Sequence, residues 1–134
     1  MAKITQDMKD IAAKSHPFIF ATVSKEGKPN GVPIGIGRII SDDEIVLADI
    51  FMYKTRQNID ENPMVAVSFW SEDDHYGYQF KGKARVETSG KLFDETVEWL
   101  KDERPQLSAR AIVVVKVEEI YYIGKDKDSS INLA

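Results

Sequence analysis

Lys54, Thr55, Arg56, Gln57 and Asn58 place two cations, a hydroxyl and two amides in consecutive positions. They close the segment Ala48-Asp49-Ile50-Phe51-Met52-Tyr53, which reads as the end of a strand running into the first turn of a short helix. A helix start offers unsatisfied backbone N–H groups and about half a positive charge. A lysine ammonium, an arginine guanidinium and a threonine hydroxyl add charge-assisted and directional donors of the kind a phosphate accepts. On these residues alone the segment is either an anion site or a surface turn whose charges face water.

The second informative group is Gly31, Gly35 and Gly37, spaced along an apolar stretch. Glycine weakens a strand unless the sheet must bend or something approaches the backbone closely. Both readings stay open here: curvature of a barrel, or a flat ligand lying against the chain. Gly35-Ile36-Gly37 is not a dinucleotide fingerprint, because the third glycine is missing and a strand, not a helix, follows.

Other chemistries find little to work with. His16 and His75 lie far apart and have no carboxylates at ligand spacing, so no metal site is expected. Asp73-Asp74-His75 reads as a solvated loop. There is no Gly-x-Ser-x-Gly elbow and no paired-carboxylate context, so no residue is assigned as catalytic. Trp70, Tyr76, Tyr78 and Phe80 read as core or interface, with one of them a candidate to flank a ring.

The elements that must hold these residues follow from local signals. Thr5 is a helix cap, and Met8, Ile11, Ala12 and Ser15 share a face of the helix it starts, which Pro17 ends. Phe18 to Val23 is a strand, Lys25 to Pro29 a turn, and Asn30 to Ile40 a second strand. Ile45 to Ala48 is a third. A short helix from Thr55 to Glu61 stops at Asn62-Pro63, and Met64 to Trp70 is a fourth strand. Tyr78 to Val86 is a fifth, with Gly82 as a bulge. Ser89 is expected to cap a helix whose apolar face is Leu92, Phe93, Thr96, Val97 and Leu100. The strongly apolar run Arg110 to Val117 is the last strand, continued or followed by Ile120 to Ile123, and the tail from Lys125 is polar. Strands that do not alternate regularly with helices argue for a mainly β, antiparallel barrel with helical decoration.

A length of 134 residues fits one domain over 1–134. The net charge of −4 argues against a nucleic-acid binder, which needs a basic face. No apolar run is long enough to span a bilayer. The N-terminus lacks the apolar core of a signal peptide. With no cysteine in the chain, a reducing, cytoplasmic setting is the expectation.

Taken together, Lys54-Thr55, Asn58-Ile59, Asn62-Pro63 and the strand Val65-Ala66-Val67 resemble the FMN-binding split β-barrel of the pyridoxamine 5′-phosphate oxidase-like family, nearest to its small bacterial FMN-binding proteins. The hairpin with Gly27 and Pro29, the run Phe80-Lys81-Gly82-Lys83-Ala84, and Ala109-Arg110-Ala111 add to the match, which covers Phe18 to Val117. The resemblance implies that Lys54 and Thr55 hold the phosphate of FMN, with Gln57 and Asn58 near the phosphate or ribityl end. It also implies that the backbone of Ile34, Gly35 and Ile36 and of Ala48, Asp49, Ile50 and Phe51 runs beside the ribityl chain and ring. The resemblance implies further that the partner subunit of a homodimer completes each site. Ile50 and Phe51 stand where the small FMN-binding proteins have glycines, and side chains of that size narrow the ring pocket.

Two functions follow as expectations. The first is an FMN-dependent oxidoreductase or electron-transfer protein acting on a small-molecule substrate or redox partner, since the cofactor carries the chemistry and no acid or base is required of the chain. Oxidation of pyridoxamine 5′-phosphate itself is not expected, for want of basic residues at a second phosphate. The alternative is a binding module without turnover, carrying flavin or another phosphorylated or tetrapyrrole-like ligand. The large apolar surface suggested by Trp70, Tyr76, Tyr78, Phe80 and Ile112 to Val115 is a further reason to expect self-association.

Overall fold

The first helix, α1 (Gln6–Lys14), begins as expected: Thr5 Oγ1 accepts the N–H of Met8 at 3.3 Å and Met8 Sδ accepts the N–H of Thr5 at 3.4 Å. Its face of Met8, Ile11, Ala12 and Ser15 is buried. These details come from a computed structural model that describes residues 2–134. The chain continues as β1 (Phe18–Val23), β2 (Pro29–Ile34), β3 (Gly37–Ile39), β4 (Glu44–Asp49), α2 (Lys54–Glu61), β5 (Met64–Ser71), β6 (Tyr76–Glu87), α3 (Lys91–Glu103) and β7 (Ala111–Ile123).

All seven strands form one antiparallel sheet in the order β2-β1-β5-β6-β7-β4-β3. The stretch expected as one strand from Asn30 to Ile40 is therefore two, and they lie at opposite edges of the sheet. Only Gly35 and Ile36 separate them. Such a short link spans roughly 10 Å at full extension, so the sheet must curl until its edges approach each other. That closure is the split barrel. The bulge is where the sequence places it, with a register shift between Lys81 and Gly82.

The expected cap of α3 is displaced. Gly90, with φ of 105°, takes the N-cap position and no side chain caps the helix. Ser89 lies one residue too early because the chain enters the helix through a conformation that favours glycine.

Packing explains why the strand Ala111–Ile123 is so apolar. Val113 and Val115 point into the barrel core with Phe18, Phe20, Leu47, Val67 and Phe80. Ile112 and Val114 face the other way, onto Val46 and the Leu92 and Phe93 side of α3. Covering both faces demands a continuous apolar run rather than an alternating one. Each such side chain contributes about 1.5–3 kcal/mol when fully buried. This corrects one premise: Tyr78, Phe80 and Ile112 to Val115 are buried within their own chain and leave no surface for a partner. The exposed large apolar groups are instead Ile19, Phe51, Tyr53, Met64, Trp70, Ile131 and Leu133.

Candidate cofactor site

β4 ends in Asp49, a carboxylate with no exposed surface. Its Oδ1 accepts the Met52 N–H at 2.7 Å, and its Oδ2 accepts Arg56 Nη1 at 2.8 Å. Arg110, entering β7, brings Nη2 to 3.3 Å from Asp49 Oδ1 and 3.1 Å from the Met52 carbonyl. The guanidinium of Arg110 also stacks over Tyr53, 4.6 Å from the ring centre. One buried charge thus ties together the end of β4, the turn 50–53, the first helical turn of α2 and the start of β7.

This turn delivers α2 with its N-terminus open. Tyr53 occupies the cap position and makes no side-chain cap bond, leaving the first-turn N–H groups available. Lys54 is exposed and forms no ion pair among the described residues. Thr55 is buried; its Oγ1 accepts Asn30 Nδ2 at 3.2 Å, which leaves its own hydroxyl proton for another acceptor.

Two adjoining pockets meet beside this turn. One, of about 220 Å³, is bounded by Val32 and Ile34 of β2, by Phe51, Met52 and Tyr53, and by Lys54 and Thr55. The other, of about 210 Å³, is apolar, formed by Ile34, Gly35 and Ile36, by Ala48, Ile50, Phe51 and Met52, and by Leu107, with Arg104 as its one charged wall. Ile34, Phe51 and Met52 line both, so the two adjoin, and the pair is called the trough, with a cationic end and an apolar end. Phe51 is 67% exposed and lines both halves, so it forms a side of the trough.

The glycines divide the two readings between them. A Cβ on Gly37 would lie 2.7 Å from Leu47 Cδ2 and 2.8 Å from a Phe18 ring carbon, so its absence serves close packing of the curled sheet. A Cβ on Gly35 would meet nothing within 4 Å, and Gly35 lines the trough.

Of the residues singled out in the sequence, Lys54, Thr55, Ile34, Gly35, Ile36, Ala48, Ile50 and Phe51 line the trough. Asp49, Gln57 and Asn58 do not. Asp49 is turned inward to its arginines, and Gln57 is exposed on α2 away from both pockets. Asn58 is fully buried and donates Nδ2 to Thr22 Oγ1 at 3.0 Å, fastening α2 to β1. Val32, Met52, Tyr53, Arg104 and Leu107 were missed. Val32 was findable, since it shares a strand face with Ile34. Arg104 and Leu107 arrive from the far end of α3, and nothing local marks them.

A curled antiparallel sheet whose edges are joined through two residues, with a cleft where β4 runs into α2, defines a split β-barrel. The family model for pyridoxamine 5′-phosphate oxidase matches residues 4–124, and the chain belongs to this family of split barrels. A curated relative, an uncharacterised protein of Methanocaldococcus jannaschii, is 33% identical over 96% of this chain and 87% of its own length. Among solved structures, HupZ of Group A Streptococcus superposes with a TM-score of 0.79 at 28% identity, covering 89% of this chain and 93% of that one. An FMN-binding protein of Syntrophomonas wolfei superposes at 0.80 with 18% identity, covering 92% and 88%. HutZ, a haem storage protein of Vibrio cholerae, superposes at 0.70 with 14% identity, covering 91% and 97%. The last two likenesses concern the fold alone.

Proposed function

We propose that this chain binds FMN in the trough, phosphate against Lys54, Thr55 and the open start of α2, ring toward Ile36, Ala48 and Ile50, and that it serves oxidation and reduction. The observation that carries this reading is the junction at Ile34, Phe51 and Met52 of a cationic pocket with an apolar one. Ligand pockets generally start near about 300 Å³; each half is smaller, so a ligand must use both. The donor set fits a terminal phosphate, with an unpaired ammonium, a hydroxyl proton and uncapped N–H groups together. The bound flavin supplies hydride and electron transfer, while the chain sets its orientation and access.

The trough is open on the side of Phe51 and Tyr53, which are 67% and 70% exposed. A second copy covering these rings would complete the wall, so the proposed unit is a homodimer with two flavin sites. Among the described residues no helix is long and apolar enough to cross a membrane. The absence of cysteine supports a cytoplasmic place of work.

The experiment is a visible spectrum of the purified protein titrated with FMN, followed by addition of NADH or NADPH. Flavin absorbance that saturates and then bleaches supports an oxidoreductase, and saturation without bleaching supports a carrier. No FMN uptake, with uptake of haem instead, overturns the flavin reading.

A further inference from the structure

A second groove, of about 310 Å³, lies between α1 and α3 over β3, apart from the trough. Its walls include Lys9, His16, Phe18, Arg38 and Trp99. Arg38 is half-buried and its guanidinium sits 5.0 Å from the centre of the Trp99 ring. Its Nε is buried and has no hydrogen-bond partner among the described residues. A partly buried cation whose donors go unused is costly unless something pairs with it. Lys9 offers a second positive charge beside it; its ion pair with Asp42 is long, at 3.4 Å, and Asp42 is 65% exposed. The exposed His16 ring adds an aromatic wall, its centre 5.1 Å from that of the buried Phe18 ring.

We propose that this groove is a second ligand site, for a small molecule with a flat aromatic body and one anionic group, phosphate or carboxylate. The anion pairs with Arg38 and Lys9, and the ring lies between Trp99 and His16. Arginine suits this role because its planar fork holds an oxyanion with two donors while its face stays on the indole. The groove and the trough share no lining residue, though they are neighbours: Trp99 also packs against Ile36 and Ala48 of the apolar end.

The test is a fluorescence titration of Trp99 in a Trp70→Phe background of the full chain, with phenyl phosphate, benzoate and phenol as probes. Phenyl phosphate or benzoate should saturate with a dissociation constant of about 0.1–1 mM, and Arg38→Gln should weaken binding at least about tenfold, the loss of one charge-assisted bond. The comparison of the two anions identifies which group the site prefers. Lys9→Gln should weaken binding by a smaller factor, and serves as the test if Arg38→Gln does not fold. Lys54→Ala with Thr55→Ala should leave phenyl phosphate binding unchanged, which separates this site from the flavin trough. Binding of phenol as tight as that of the anions, no saturation, or loss of binding in the Lys54 and Thr55 variant would overturn the proposal.

Discussion

Asp49 Oδ2 accepts Arg56 Nη1 at 2.8 Å across the turn that shapes the trough, and the carboxylate has no exposed surface. The turn's geometry depends on this pair and on Arg110 behind it, because Asp49 fixes the Met52 N–H while Arg110 fixes the Met52 carbonyl. Asp49→Asn keeps the shape but leaves two arginines without their counter-charge. The expected cost is about 2–3 kcal/mol, below the usual loss for a fully buried pair because both arginines are partly exposed. Urea unfolding measures it. A change under about 0.5 kcal/mol would show that the turn holds without the charge.

Lys54→Ala together with Thr55→Ala should weaken FMN at least about tenfold, each lost charge-assisted bond being worth about 1.5–3 kcal/mol. Riboflavin affinity should hardly change. Flavin fluorescence titration decides, and equal losses for the two ligands would remove the phosphate role.

Gly35 and Gly37 should respond oppositely to alanine. Gly37→Ala drives a methyl into Leu47 and Phe18, for an expected loss of about 1–3 kcal/mol. Gly35→Ala meets open space and should leave stability unchanged or slightly raised. The same methyl borders the trough, so FMN affinity should fall. Thermal melts and flavin titrations of the two variants separate packing from ligand access.

Above pH 10 the fold should lose stability through a tyrosine pair. Asp7 accepts Tyr76 OH at 2.9 Å and Tyr78 OH at 2.7 Å. The hydrogen bond to Asp7 holds the Tyr76 phenol up at about 12, and burial, followed by the bond to Asp7, raises Tyr78 as well. Folded phenols that keep their protons longer than unfolded ones stabilise the chain fully below the ordinary tyrosine range, near about 10. That stabilisation disappears as pH rises through the raised values. Melting curves from pH 9 to about 12 should show the decline, and Asp7→Asn should make it shallower. Tyrosinate absorbance follows the same titration directly.

Dilution should release flavin. If a second copy closes the trough over Phe51 and Tyr53, light scattering will show a dimer whose dissociation coincides with free FMN fluorescence. A monomer that retains its flavin would exclude the shared site.

Local signals in the chain determined a good deal of this. Thr5 capped its helix because the cap needs only a hydroxyl three residues from an N–H. Gly82 marked the bulge because a Cβ there would fall 1.9 Å from the Lys116 carbonyl. The donor-rich, cationic start of α2 was legible because its donors are consecutive. Other features required distant parts of the chain to meet. The division of residues 30–40 at Gly35 and Ile36 follows from the two sheet edges meeting, which no stretch of eleven residues encodes. The inward turn of Asp49 depends on Arg110, 61 positions later, just as the trough's apolar end depends on Arg104 and Leu107. The same holds for Ile112 to Val115, whose apolar character in sequence suits a partner's surface equally well, whereas in the fold α3 covers its outer face. Hydrophobic pattern states that a side chain must be buried; only the folded arrangement states against what.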